Sequence, residues 1–339
     1  MRRPQTARYG VVVAAAAALL TLLAVVLTTS ENPVATVSTF LVGPWANRYA
    51  LGNYLSRAAL LALTGAGVVV AFRAGVFNLG GEGQVYLAAL ITTTVLTGGR
   101  GGSTGAVPMV VPAVLLAVIA AGSVAGASGW LRHRTGADEL ITSFLISSAL
   151  IPIVDYLIVG PLRDRAGSLL ATELIPETAR LARLLAPSVL STGALWSLLL
   201  LPALWFFLTW TLFGYELRIV GYNHELARYA GIRVGLYTTI PMALSGALHG
   251  LAGAALVLGV HHRSILGFSG GLGWNGIAVA LIARNNPVWV LPAALFFAWL
   301  ESGARAAVLQ NQTTWELGSL IQAVVFLFVT AQLIRGRKR

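Results

Sequence analysis

The sequence predicts an all-α, polytopic membrane protein of about ten transmembrane helices, some of them short or broken. Three observations predict it. Apolar residues make up 57% of the 339 residues and charged ones only 10%, with a mean hydropathy of +0.78. That is more apolar surface than one water-soluble core can use. Apolar runs recur at bilayer-spanning length, and arginines gather between the runs and at both ends. The net charge of +11 is therefore membrane-flanking charge, not the basic face of a nucleic-acid-binding domain.

The first run follows "MRRPQTARYG" and covers residues 10–29. It has the basic start of a signal peptide, but "SENPVATV" behind it offers no small-x-small cleavage site, so it reads as a retained first helix. Further spans are expected at 50–72, 82–96, 107–131, 140–159, 195–213, 236–260, 276–283, 288–308 and 317–334. The run 276–283 is too short for an ordinary crossing. With both termini cytoplasmic, these crossings put Arg73, Arg132, Arg134, Arg218, Arg228, Arg233, Arg284 and the tail "RGRKR" on the inside. Arg100, Arg163, Arg165, Arg180, Arg183 and Arg263 fall outside, four of them in a long loop, 160–193, beside Asp164, Glu173 and Glu177. Within that loop "PETARLARLLA" reads as a short amphipathic helix. On the inside, the loop 214–235 contains "NHELARYAG": Asn223 caps, Glu225 sits in the first turn, Arg228 follows at i+3 and Gly231 stops the helix. It reads either as a linker or as a docking knob for a cytoplasmic partner.

Much familiar chemistry is missing. The single lysine, Lys338, lies in the tail, so no phosphate-binding loop of the G-x-x-x-x-G-K-[ST] kind exists and ATP, if used, must be bound by another chain. The absence of cysteine excludes disulfides, thiolate metal sites and cysteine nucleophiles. His133, His224, His249, His261 and His262 lack metal-ligand spacing beyond one adjacent pair, and no metal or cofactor is expected. "GFSGG" (267–271) matches G-x-S-x-G, with His249 or His261 as a conceivable base for Ser269, yet it sits in a glycine-rich loop and reads as a turn.

Two glycine-rich elements remain, "FRAGVFNLGGEGQ" (72–84) and "GFSGGLGWNGIAVALIA" (267–283), one in each half of the chain. Paired, glycine-interrupted short segments point to a substrate path built from broken helices. Phe77, Asn78, Glu82, Gln84, Trp274 and Asn275 are its candidate lining residues, with polar groups suited to an uncharged, hydrogen-bonding solute. For Glu82 a helix-start carboxylate is the competing reading, and for the glycines close helix packing, as in "SGALHGLAGA" (245–254). A lone secondary transporter would instead need a buried ionisable relay, for which Asp155 and Glu301 are the candidates.

In this order, "FRAGVFNLGGEGQ", "GPLRD" (160–164), "VGYNHELARYAGI" (220–232), "SGALHGLAGA" and "GFSGGLGWNGIAVALIARNNP" (267–287) resemble the permease subunits of ABC importers. The branch is that of branched-chain amino acids, simple sugars and nucleosides, and the form "AGVFNLGGEGQ" is most similar to the nucleoside type. The resemblance implies a single transmembrane permease domain over 1–339, in the cytoplasmic (inner) membrane of a bacterium. It implies a second permease subunit, identical or paralogous, a cytoplasmic ABC ATPase, and an extracytoplasmic substrate-binding lipoprotein. "NHELARYAGI" would be the coupling helix, with Asn223, Glu225, Arg228, Tyr229 and Gly231 at the ATPase contact. "HHRSIL", "RNNP" and the Asp138 of "GADELITS" depart from the expected pattern and bear on which solute is carried, a simple sugar or a branched-chain amino acid being the alternatives to a nucleoside.

Overall fold

The computed structural model describes residues 32–98 and 107–311, with scattered positions nearer the two ends. The first and last predicted spans, 10–29 and 317–334, are described only at isolated positions, and Arg100 and the "RGRKR" tail lie outside the described residues. The helices are α1 (Pro33–Val42), α2 (Arg48–Arg73), α3 (Gly81–Gly98), α4 (Val110–Thr135), α5 (Glu139–Val159), α6 (Gly193–Trp210), α7 (Leu212–Tyr222), α8 (His224–Tyr229), α9 (Val234–Leu256), α10 (Leu272–Ile282) and α11 (Val290–Asn311). Among the described residues six segments are long and apolar enough to cross a membrane: α2, α4, α5, α6, α9 with its terminal turn, and α11 with the 3₁₀ turn before it. Each predicted span within the described residues is a helix. α3 has the length to cross but opens on the polar turn "GEGQ", and α10 is short.

Apolar distribution around each helix sorts centre from rim. α2 buries 83% of its most apolar stretch, whereas α5 and α6 each bury 22%. A helix apolar all round belongs in the interior, and α2 packs against α6, α9, α10 and α11 as the central post. The α4–α9 pair depends on small residues instead: Ala117, Ala121 and Ala125 of α4 are fully buried opposite Gly246 and Gly250. A Cβ on Gly246 would overlap the Ala121 carbonyl, so the two backbones touch, as small-residue interfaces in membranes allow. The packing reading of "SGALHGLAGA" therefore holds.

The chain leaves helical geometry in two interior places. After α2, Gly75 at φ +72° turns residues 74–80 into an irregular run that enters α3. After α9 a π turn, Val257–His261, unwinds the helix end, and left-handed His262, Gly267, Gly270 and Gly271 carry the chain back inward to α10.

Two expectations need correction. "PETARLARLLA" forms only a 3₁₀ turn, Glu177–Ala179. Its backbone is used elsewhere: Leu181 N–H donates to the Leu258 carbonyl at the unwound end of α9 and Leu184 N–H to the Leu190 carbonyl, while Ile175 N–H, just before the segment, donates to the His262 carbonyl. Tertiary demand for donors overrides the local helical pattern. The sequence reading also missed α1, where Asn32 caps, Pro33 takes the first helical position, and Phe40 packs edge-on against Trp299 of α11.

Candidate functional site

The two interior breaks meet. Glu82 lies in the first turn of α3 and is only 5% exposed, and its carboxylate crosses to α10. Gly273 N–H donates to Glu82 Oε2 at 2.7 Å, and the Ser269 hydroxyl donates to Oε1. A Cβ on Gly273 would overlap the Glu82 backbone, so the two helix N-termini abut. Each N-terminus carries unpaired N–H groups and a partial positive charge, and one carboxylate serves both. Glu82 is thus a helix-start carboxylate, buried at the junction instead of sitting near an interface.

Around this joint lie two polar clusters. Asn78 Nδ2 donates to Gln84 Oε1 and to Ser245 Oγ of α9, both at 2.9 Å, while its Oδ1 accepts from Gly80 N–H. On the other side Asn275 Nδ2 donates to Glu301 Oε1 at 2.7 Å, and Arg57 pairs with Glu301 through Nε at 2.5 Å and Nη2 at 3.1 Å. The same guanidinium donates to the carbonyls of Ser269 and Gly270, satisfying acceptors that the re-entrant loop would otherwise bury unpaired. Six residues were predicted to line a path, and the structure divides them by exposure. Asn78, Glu82 and Gln84 are buried at 5% exposure or less and hold the breaks together. Phe77 is 38% exposed and Trp274 and Asn275 half-buried; Phe77 packs at a tilt against Phe72, and Trp274 against Phe144 of α5. Aromatic faces beside an amide suit a planar, hydrogen-bonding solute.

Against the other side of the first break lies the loop 214–235. A Cβ on Gly221 of α7 would overlap the Arg73 carbonyl, so α7 seats on the end of α2. Asn223 Oδ1 accepts from Glu225 and Leu226 N–H at 2.9 and 3.0 Å, and Gly231 ends the turn at φ +77°. α8 buries Ala227 in one apolar cluster with Val70, Ala71, Ala74 and Val76, and turns Tyr229 outward at 91% exposure. His224 is its first residue. Burial, reinforced by the Arg132 and Arg228 guanidinium groups, pushes its imidazole below the usual histidine range against the opposing pull of Glu139.

Residues 50–330 match the family described as the permease component of the branched-chain amino acid transport system. The chain belongs to that permease family. It is 35% identical over 89% of its length, and 80% of the relative's, to a probable riboflavin import permease protein, RfuC, of Treponema pallidum. A glucose ABC transporter permease protein, TsgB13, of Haloferax volcanii is 32% identical over 88% of this chain and 80% of its own. A guanosine ABC transporter permease protein, NupP, of Bacillus subtilis is 30% identical over 85% and 83%. With its apolar helices, this makes the chain a multi-pass membrane permease subunit.

Among the described residues, Ser269 has no base assembled beside it. The Ser269 hydroxyl is spent on Glu82; His249 Nδ1 is hydrogen-bonded to the Ser245 carbonyl, and His261 packs against Phe268. Of the relay candidates Glu301 is paired with Arg57, and Asp155 keeps one buried carboxylate oxygen without a hydrogen-bond partner. What sequence reasoning missed lies on α5. Glu139, Ser143 and Ser147 recur every four residues, all buried at 2% exposure or less, and each accepts a backbone N–H of the first break or of the α3 turn that follows it: Phe77 at 3.1 Å, Leu79 at 3.1 Å and Gly83 at 2.8 Å. The i, i+4, i+8 polar stripe in "ELITSFLIS" was the available signal.

Proposed function

We propose that this permease forms one side of the translocation path of an ABC importer for a nucleoside, opened to alternate sides by a separate cytoplasmic ATPase. The observation that carries the reading is the joint at Glu82, where two broken helices meet, together with a capped, exposed helix whose Ala227 shares an apolar cluster with Val76 of the first break. Irregular backbone at membrane depth is tolerated where it is buried in protein or lines a cavity, and broken helices mark the moving parts of transporters. Phe77, Trp274 and Asn275 would touch solute, with Asn78, Glu82 and Gln84 holding the breaks behind them. Asn223, Glu225, Arg228, Tyr229 and Gly231 would form the coupling contact. Arg73, Arg132, Arg134, Arg218, Arg228, Arg233 and Arg284 then lie inside and the loop 160–193 outside. The complete chain would cross about ten times with both termini cytoplasmic, spanning the inner membrane as a single domain. A second permease subunit, the ATPase and an extracytoplasmic binding lipoprotein complete the machine, and the chain itself holds no cofactor.

Names of the relatives span riboflavin, glucose and guanosine. The aromatic surface at Phe77, Phe144 and Trp274 favours a planar ring system over a sugar. In liposomes carrying the assembled complex, labelled guanosine is expected to accumulate only with ATP inside and binding protein outside, with excess unlabelled nucleosides competing and glucose not. Concentrative uptake by the permease without any ATPase would sink the reading.

A further inference from the structure

We propose that the polar stripe on α5 formed by Glu139, Ser143 and Ser147 is the rail through which movement of the coupling end is passed to the first break, with Glu139 as its positioning residue. The inference rests on the transporter reading above and adds the route by which the two ends communicate.

Irregular residues 74–80 leave backbone N–H groups without helical partners, and a buried N–H needs an acceptor. α5 supplies acceptors at three successive turns, two for Phe77 and Leu79 of the break and one for Gly83 in the first turn of α3, so the break and the helix it enters are fastened to α5. The lower end of the rail is anchored differently from the rest. Glu139 Oε1 accepts both the Phe77 N–H and an ion pair from Arg132, a residue in the last turn of α4, and Glu139 is 2% exposed against 32% for Arg132. The α4–α5 connection is thereby stapled to the break by one oxygen. Ala227 of α8 shares an apolar cluster with Val76, the residue before Phe77, and His224, the first residue of α8, feels the charges of both Arg132 and Glu139. A shift of α8 that moves Val76 therefore loads the Phe77 N–H bond to Glu139, and α5 can pass it to Leu79 and Gly83 as one rigid body. The Ser143 hydroxyl donates to the Leu140 carbonyl, which aims its lone pairs at Leu79 and leaves it little freedom to exchange partners.

The chain has no cysteine, so a single Phe77→Cys substitution reports on the break. The measurement is the rate of maleimide labelling of that cysteine in the full complex of permease, second permease subunit and ATPase, nucleotide-free and trapped with ATP and vanadate. With the rail intact, nucleotide is expected to change the labelling rate. In Glu139→Gln, and separately in Arg132→Gln, that nucleotide-dependent change is expected to shrink by about three- to tenfold, with ATPase still co-purifying. Ser143→Ala with Ser147→Ala should shrink it too, while leaving the Glu139 staple in place. A merely structural role would move labelling equally with and without nucleotide. A full nucleotide response in Arg132→Gln and in the double serine variant would overturn the proposal even if Glu139→Gln fails to assemble. If labelling ignores nucleotide with the rail intact, the transporter reading falls first and this proposal with it.

Discussion

Glu82 shows how one buried side chain can decide whether two helices stay joined. Its carboxylate accepts from Ser269 and from Gly273 N–H, and replacing it by alanine strands both donors in a closed site. Leaving buried donors unpaired costs about 1–3 kcal/mol each. Glu82→Ala is expected to lower the thermal midpoint in detergent by several degrees, and Glu82→Gln, which keeps one acceptor oxygen, by clearly less. Equal midpoints for the two variants would mean that the carboxylate does not hold the joint. The sequence placed Glu82, Asn78 and Gln84 in a polar element of importance, but as path-lining groups. Which of them face inward is a property of their partners: Ser245 lies 167 positions from Asn78, and Gly273 lies 191 from Glu82.

At the scale of elements, α9 and α8 respond to opposite kinds of change. α9 meets α4 backbone to backbone, so Gly246→Leu must part the helices, and overpacking of this kind costs about 1–3 kcal/mol. α8 is anchored by its buried Ala227 and its Asn223 cap, with Tyr229 facing outward. Gly246→Leu is expected to lower the thermal midpoint of the purified chain. Tyr229→Ala should leave the midpoint unchanged and reduce co-purification of the ATPase; a drop in midpoint without loss of partner would reverse the assignment. α8 was legible because capping is local: an asparagine, a short amphipathic run and a glycine lie within nine residues. "PETARLARLLA" carried equally local signals and still failed, because its donors are taken elsewhere, Leu181 N–H by the unwound end of α9 and Leu184 N–H by the Leu190 carbonyl.

For the molecule as a whole, the two ends separate cleanly. Arg73 Nε donates to the Asn285 carbonyl at 2.9 Å, Gly221 packs on Arg73, and His133 lies against Gly235, which gathers the connections predicted for the inside at one end. At the other, Thr172 N–H donates to the Ser264 carbonyl and Val189 N–H to Asn53 Oδ1, tying the loop 160–193 to the turn after α9 and to the first turns of α2. In intact cells an impermeant maleimide is expected to label Arg165→Cys, and to label Arg134→Cys only after permeabilisation; both positions are exposed. The reverse pattern would invert the orientation and place α8 where no cytoplasmic ATPase could reach it.

The amino-acid sequence alone determined the class, most of the spans, the grouping of the arginines and the capped helix, because hydropathy, charge and capping act over one or two turns of chain. Only the tertiary structure decided that the two glycine-rich elements meet head to head, that α2 and not a longer apolar run is the central post, and that α5 carries an acceptor stripe for a break some sixty residues earlier. Those facts follow from where unpaired backbone groups find partners across the fold, and a backbone N–H looks the same in every residue until its surroundings are built.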